Sequence, residues 1–212
     1  TGSALGFGVG PLLLAARPGT HPRDSLRPDN DAHPALVLCP GEHTTATLLY
    51  KLFHPGEGEL SQVVFSDIMP ALKNGDADFG VCIHEGRFTW QQQGLALIED
   101  LGARWEEATS SPLPLGGILV RHGLGRELIT TVRDVLTDSL AYAHAHRDET
   151  VTTMRRYAQE LTEEVMFKHV DLYVNEWTSD LGELGRVSLG LLHRQAVDVG
   201  LCPPDTPALK LY

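Results

Sequence analysis

The sequence predicts an α/β protein of two lobes, joined by a pair of strands through which the chain enters and leaves one of them. Three observations lead there. Between Ala35 and Ile83, short apolar runs alternate with segments of helical periodicity, and strands that alternate with helices pair in parallel through right-handed crossovers. Two further apolar runs, "PLLLAA" at Pro11–Ala16 and "GGILV" at Gly116–Val120, flank that block as the two passes of a hinge would. From Arg126 onward the periodicity is helical throughout. The expected division is residues 17–115 as an α/β lobe, and residues 1–16 with 116–212 as an incomplete, largely helical first lobe with the hinge strands.

In chain order, "GFGVG" comes first. Its glycines are spaced G-x-G-x-G and precede a strand, whereas a dinucleotide fingerprint follows one and opens a helix, so the stretch reads as a flexible approach to "PLLLAA". Arg17–Pro34 is full of Pro, Asp, Asn and Ser and reads as a surface loop. "ALVL" is then a buried strand, "CPGEH" a turn, and "TTATLLYKLF" a helix with Leu48, Leu49 and Leu52 on its apolar face and Thr44 or Thr45 as its cap. "SQVVF" gives a second strand. "SDIMPALKNG" gives a helix capped by Ser66 or Asp67, tolerating Pro70 in its first turns and stopped by Asn74-Gly75. "DADFGVCI" is the third strand, which leaves His84 just beyond a carboxyl end. "PLPLGGILVR" is another strand, and helices follow at Arg126–His146, Val151–Ala158, Glu163–Val174 and Glu183–Val199, before a proline-rich tail.

Charge and cysteine usage narrow the function. Seventeen Lys and Arg against 28 Asp and Glu leave a net charge of -11, which repels nucleic acid and anionic membrane surfaces. Cys39, Cys82 and Cys202 form no C-x-x-C pair, so a reducing, cytoplasmic setting fits better than a disulfide framework or a zinc knuckle. No apolar run approaches the length that spans a bilayer, so membrane insertion is not expected. The chain opens at Thr1 with neither an initiator Met nor a signal segment.

Chemistry is expected at the carboxyl edge of the strands, where helix N-termini and loop backbone groups converge on a ligand. Two features map there. "PGEHTTA" offers the Thr44 and Thr45 hydroxyls and open backbone N–H groups at a helix start, suited to a carboxylate. "HEGR" offers His84, which is either a general base or a strand cap bonded to backbone, and Arg87, which either pairs with Glu85 or orients an acidic substrate. "HEGRF" lacks the second histidine of H-E-x-x-H, and His144 and His146 point to different helix faces, so no metal site is indicated. Cys39 reads as a quiet buried thiol, and Phe88 and Trp90 as packing residues.

The strings "CPGEHTTATLLYKLF", "FSDIMPALKNGDADFGVCIHEGRFTW", "LPLGGILVR" and "YAQELTEEVMFKHVDLYVN" together resemble the 1,4-dihydroxy-6-naphthoate synthases of the futalosine route to menaquinone, over a match running from "GSALGFGVGPLLLAAR" to the C-terminus. The resemblance implies the two-lobed fold of type II periplasmic solute-binding proteins with a two-strand hinge. It also implies a cytoplasmic lyase that cleaves cyclic dehypoxanthinyl futalosine, an anionic aromatic small molecule, without metal or redox cofactor. Under it His84 corresponds to the proton acceptor, and Thr45 and Ala46 fall in the substrate-binding segment. The family's opening strand, with its S-P-C-P-N-D-T-like loop, and its K-L-S segment have no counterpart here, so the chain is expected to lack the N-terminal part of the first lobe. Two alternatives remain: a chorismate dehydratase-type relative, against which "IHEGRFT" argues, and a non-catalytic solute-binding protein, which an upstream secretory signal would favour.

Overall fold

Buried apolar runs need neighbours on both sides, and five of them here assemble into one sheet. In the computed structural model, which describes residues 1–17, 34–84, 86–157 and 162–211, the sheet order is β4-β3-β5-β2-β6. Here β2 is Leu12–Ala15, β3 Leu36–Cys39, β4 Glu59–Gln62, β5 Phe79–Cys82 and β6 Ala96–Asp100. Strand β3 pairs in parallel with both β4 and β5, as β-α alternation requires, while β2 runs antiparallel to β5 and to β6. Residues 18–33, the body of the expected loop, lie outside the described residues.

The expected pairing of "PLLLAA" with "GGILV" is corrected. All four residues of β2 are buried, so the strand sits inside the five-stranded sheet, with Leu13 and Ala15 facing one core and Leu12 and Leu14 the other. The two-strand connection is made instead by β1 (Ser3–Gly6) and β7 (Leu113–Gly117), an antiparallel ribbon with Ser3 opposite Gly117 and Gly6 opposite Leu113. Gly10, between β1 and β2, has φ 115° and an added Cβ would lie 2.7 Å from Leu113 Cδ2 and 2.9 Å from Gly102 Cα. A close backbone approach thus requires this glycine, which does more than loosen the approach to a strand.

The first core cluster packs Trp105, Tyr50, Leu49 and Leu101 against one face of the sheet, and the second packs Ile68, Leu72 and Leu95 against the other. Each such fully buried side chain stabilises the fold by about 1.5 to 3 kcal/mol. Helix α1 (Thr45–Phe53) is capped by Thr44, whose hydroxyl accepts from the Thr47 N–H. Helix α2 (Phe65–Asn74) ends on Gly75 at φ 78°, as its Asn-Gly stop predicts, but its N-cap is Val64 without a side-chain bond. Ser66 and Asp67 therefore lie in the first turn, where Asp67 favours the positive helix end. "SQVVF" contributes only Ser61 and Gln62 to β4, because the Val63 N–H bonds the Cys39 carbonyl beyond the ladder and Val64 starts α2.

A short helix α3 (Gly86–Thr89), then β6 and α4 (Leu101–Thr109), complete the α/β part. Beyond β7 the regular structure of the described chain is helical, and the longer helices are α5 (Arg126–Ala145), α6 (Arg147–Tyr157), α7 (Glu163–Tyr173) and α9 (Gly182–Asp198), with the short α8 (Glu176–Ser179) between the last two. These helices grip the ribbon. Asn175 Nδ2 donates to the Leu5 carbonyl at 2.7 Å, and Ser188 Oγ donates to the Pro112 carbonyl at 2.7 Å.

Candidate functional site

Strand pairing brings distant loops to one edge. β3 and β5 are adjacent and parallel, so the turn after Cys39 and the turn after Cys82 leave the sheet on the same side. Leu12, where β2 begins, stands opposite both Cys82 and Asp100, so Gly10, His84, Asp100 and the start of α1 share that side.

His84 is exposed and holds φ 55°, a left-handed conformation that a β-carbon makes unfavourable by about 1 to 3 kcal/mol. Two bonds fix the turn around it: the Gly86 N–H donates to the Ile83 carbonyl at 3.1 Å, and the Arg87 N–H to the His84 carbonyl at 3.2 Å. Its ring meets Phe65 edge-on, centroids 5.0 Å apart, and stands 6.1 Å from the ring of His169 on α7. His169 in turn stands 4.4 Å from Tyr173. Burial raises the Tyr173 phenol above its ordinary value, with Arg87 opposing and Asp100 reinforcing the shift.

Arg87 is engaged by protein groups. Its guanidinium donates to Asp100 Oδ2 at 2.6 Å and to the Gly10 carbonyl at 3.1 Å. Asp100 Oδ1 meanwhile caps α4 by accepting from the Ala103 N–H. This pair ties the turn after His84 to β6, α4 and the β1–β2 link. Glu85, the expected surface partner of Arg87, lies outside the described residues.

The two threonines at the start of α1 divide in role. Thr44 Oγ1 is committed, donating to the Gly41 carbonyl at 2.8 Å and accepting from the Thr47 N–H at 3.2 Å. The Thr45 hydroxyl makes no hydrogen bond within the described residues, and the N–H groups of Thr45 and Ala46 are among the unpaired donors of a helix start. The Ala46 side chain is buried, so only its amide is offered. Thr45 also borders a cavity of about 640 Å³ whose other walls include Ile118, Val132, Leu136 and Leu192.

Burial pushes the Cys39 thiol up to about 11 and the Cys82 thiol up to about 12, so both stay protonated and unreactive. Trp90 packs against the second core cluster. Sequence reasoning missed Phe65, Asp100, His169 and Tyr173 as parts of this region. A signal existed for the last two: four residues apart on one helix, they share a face.

Comparison with known proteins follows the same outline. A family model described as menaquinone biosynthesis matches residues 1–198. The "1,4-dihydroxy-6-naphtoate synthase" of Thermus thermophilus is 42% identical over 205 residues, covering 97% of this chain and 71% of that protein. The solved structure of protein AF1704 from Archaeoglobus fulgidus superimposes with a TM-score of 0.84 at 30% identity, over 95% of this chain and 72% of that one. The ligand-binding component of an ABC-type import system from Staphylococcus aureus superimposes with a TM-score of 0.65 at 13% identity, over 98% of this chain and 69% of that one, which places the fold with the two-lobed solute-binding proteins. Among the described residues no helix is long and apolar enough to cross a membrane.

Proposed function

The chain belongs to the menaquinone-biosynthesis family, and from that premise we propose that it is a lyase converting cyclic dehypoxanthinyl futalosine to 1,4-dihydroxy-6-naphthoate, with His84 as the general base. The observation that carries the proposal is the placement of His84. An exposed imidazole held at φ 55° at the carboxyl end of β5, with a histidine of the helical lobe opposite, is a strained residue of the kind that the surrounding fold maintains at reaction sites. The family relationship supports the naphthoate as product, and the choice of substrate rests on the resemblance in sequence.

Each neighbouring group has a role in this reading. The Thr45 hydroxyl and the amides of Thr45 and Ala46 receive the substrate carboxylate at the positive end of α1, and the Thr44 cap fixes that end. Arg87 holds the turn and lends positive potential to an anionic substrate, partly offset by Asp100. His84 is exposed with the lobes as they stand, and substrate bound against it would displace water from the base. The setting is cytoplasmic, consistent with three free cysteines among the described residues.

The test is direct. The natural full-length gene product and the 212-residue chain are incubated with cyclic dehypoxanthinyl futalosine, and 1,4-dihydroxy-6-naphthoate is followed by its absorbance and mass. His84→Asn is expected to bind substrate while turnover falls by at least about two orders of magnitude, the low end for a lost general base. Substrate binding without product, in both full-length and 212-residue forms, would leave a binder in place of an enzyme. Near wild-type turnover in His84→Asn would remove the base assignment.

A further inference from the structure

The way His84 is held points to a second residue. Among the described residues no hydrogen bond reaches its imidazole. Its direction comes from the backbone turn and from two ring contacts, one from each lobe: Phe65 at the start of α2, and His169 on α7. We infer that His169 is a positioning residue for His84, delivered by the opposite lobe, so that the base is aligned only when the two lobes are apposed. The inference rests on the proposed role of His84 and goes beyond it by naming what sets the ring's direction.

Distances decide between positioning and sandwiching. A flat aromatic substrate between two rings needs about 7 Å, two van der Waals separations of about 3.5 Å. The 6.1 Å between the His84 and His169 centroids is smaller, so no flat ring fits between them and His169 acts on the His84 ring itself. His169 is itself backed by Tyr173 one helical turn on, at 4.4 Å, and this phenol is half-buried. Phe65, His84, His169 and Tyr173 thus form a continuous row of rings crossing from one lobe to the other. The helix carrying the last two is anchored at its end, where Asn175 bonds the Leu5 carbonyl of the hinge ribbon. That bond links the end of α7 to the ribbon.

The experiment uses the full-length protein with His169→Ala and His169→Phe. Loss of the ring in the alanine variant is expected to lower kcat by about ten- to a hundredfold with KM nearly unchanged, the scale of effect when a reacting group is misplaced by about 1 Å. The phenylalanine variant keeps a ring at that position and restores most of kcat. Independently of activity, the NMR order parameter of the His84 imidazole falls in His169→Ala and recovers in His169→Phe, while the thermal midpoint of both stays close to wild type. An unchanged His84 ring in the alanine variant overturns the inference whatever the activity shows, and so does a phenylalanine variant as slow as the alanine one. Failure of the base assignment itself reads out separately, as a His84→Asn protein that keeps its turnover.

Discussion

Two adjacent threonines carry different physics, and the difference can be measured. Thr44 closes α1 with both of its hydrogen-bonding capacities turned inward, whereas Thr45, which borders the cavity beside the helix start, makes no side-chain hydrogen bond among the described residues. Thr44→Val is therefore expected to lower folding stability by about 0.5 to 2 kcal/mol, the usual range for a lost N-cap, as read by chemical denaturation. Thr45→Val is expected to leave stability within about 0.5 kcal/mol. By calorimetric titration it weakens substrate binding by about 1 to 3 kcal/mol, because a hydrogen bond to a charged carboxylate is lost. The reverse pattern, with Thr44→Val binding poorly and Thr45→Val unstable, would exchange the two roles. Arg87 illustrates the opposite case, since its fork faces Asp100 and the Gly10 carbonyl, and its effect on a ligand runs through the turn it secures.

At the scale of elements, a buried knot joins α1, the loop before β4, β6 and α4. His54, only 7% exposed, directs Nδ1 to Glu57 at 2.9 Å and Nε2 to Glu99 at 2.7 Å, and Arg104 adds a bond to Glu99 at 2.9 Å. Two ring nitrogens facing two carboxylates must both donate, which only the imidazolium can do. Burial disfavours that charge, yet the bonds to Glu99 and Glu57 outweigh it and the His54 pKa rises above 6.5. Burial likewise opposes the Glu99 carboxylate, but His54 and Arg104 hold it below 4.5. The signs then follow: the His54 contribution is complete below pH 6.5 and is lost as pH rises through its raised folded pKa, while the Glu99 contribution is complete above pH 4.5 and is lost as pH falls through its lowered one. Melting curves should show wild type losing stability as pH rises past 6.5 relative to His54→Gln, which is less stable below that pH but flatter across it. A parallel pair of curves would exclude the knot. None of this was legible in the sequence, because Glu99 meets His54 only through the sheet. What was legible is local: the Thr44 cap, the Gly75 stop, and the β-α alternation that fixes the parallel pairs of β3 with β4 and β5. The place of β2 was not, since an all-apolar run of four residues says that it is buried but not between which strands. For the site, the position of His84 at a strand end could be read from the chain, whereas its left-handed backbone and its neighbour on α7 depend on how the lobes meet.

Across the whole molecule, the two parts differ in how completely they bury their apolar residues. The five-stranded sheet has a filled core on both faces, while the helical part leaves Leu119 78% exposed and Val135 62% exposed, with Ile118, Leu128, Val132, Leu184 and Val187 also open. Several of these residues, Leu119 and Val132 among them, line the 640 Å³ cavity beyond β7. Exposed apolar residues gathered at a cavity in this way mark a surface that binds another apolar surface, and the net charge of -11 offers only long-range opposition that salt screens. The 212-residue chain is therefore expected to bind an apolar dye such as ANS while fully folded, and to associate in sedimentation as protein or salt concentration rises. Leu119→Lys places a hydrated charge at the cavity wall, and Val135→Lys places a second on the exposed face of α5. Together they should lower both dye binding and association severalfold, and, being exposed sites, each should change stability by no more than about 0.5 kcal/mol. If the double variant binds dye and associates like wild type, the exposed residues act singly, as scattered surface apolar groups do. If it melts well below wild type, the face is instead part of the core of the helical part, and the boundary between filled and open regions has to be drawn farther from β7.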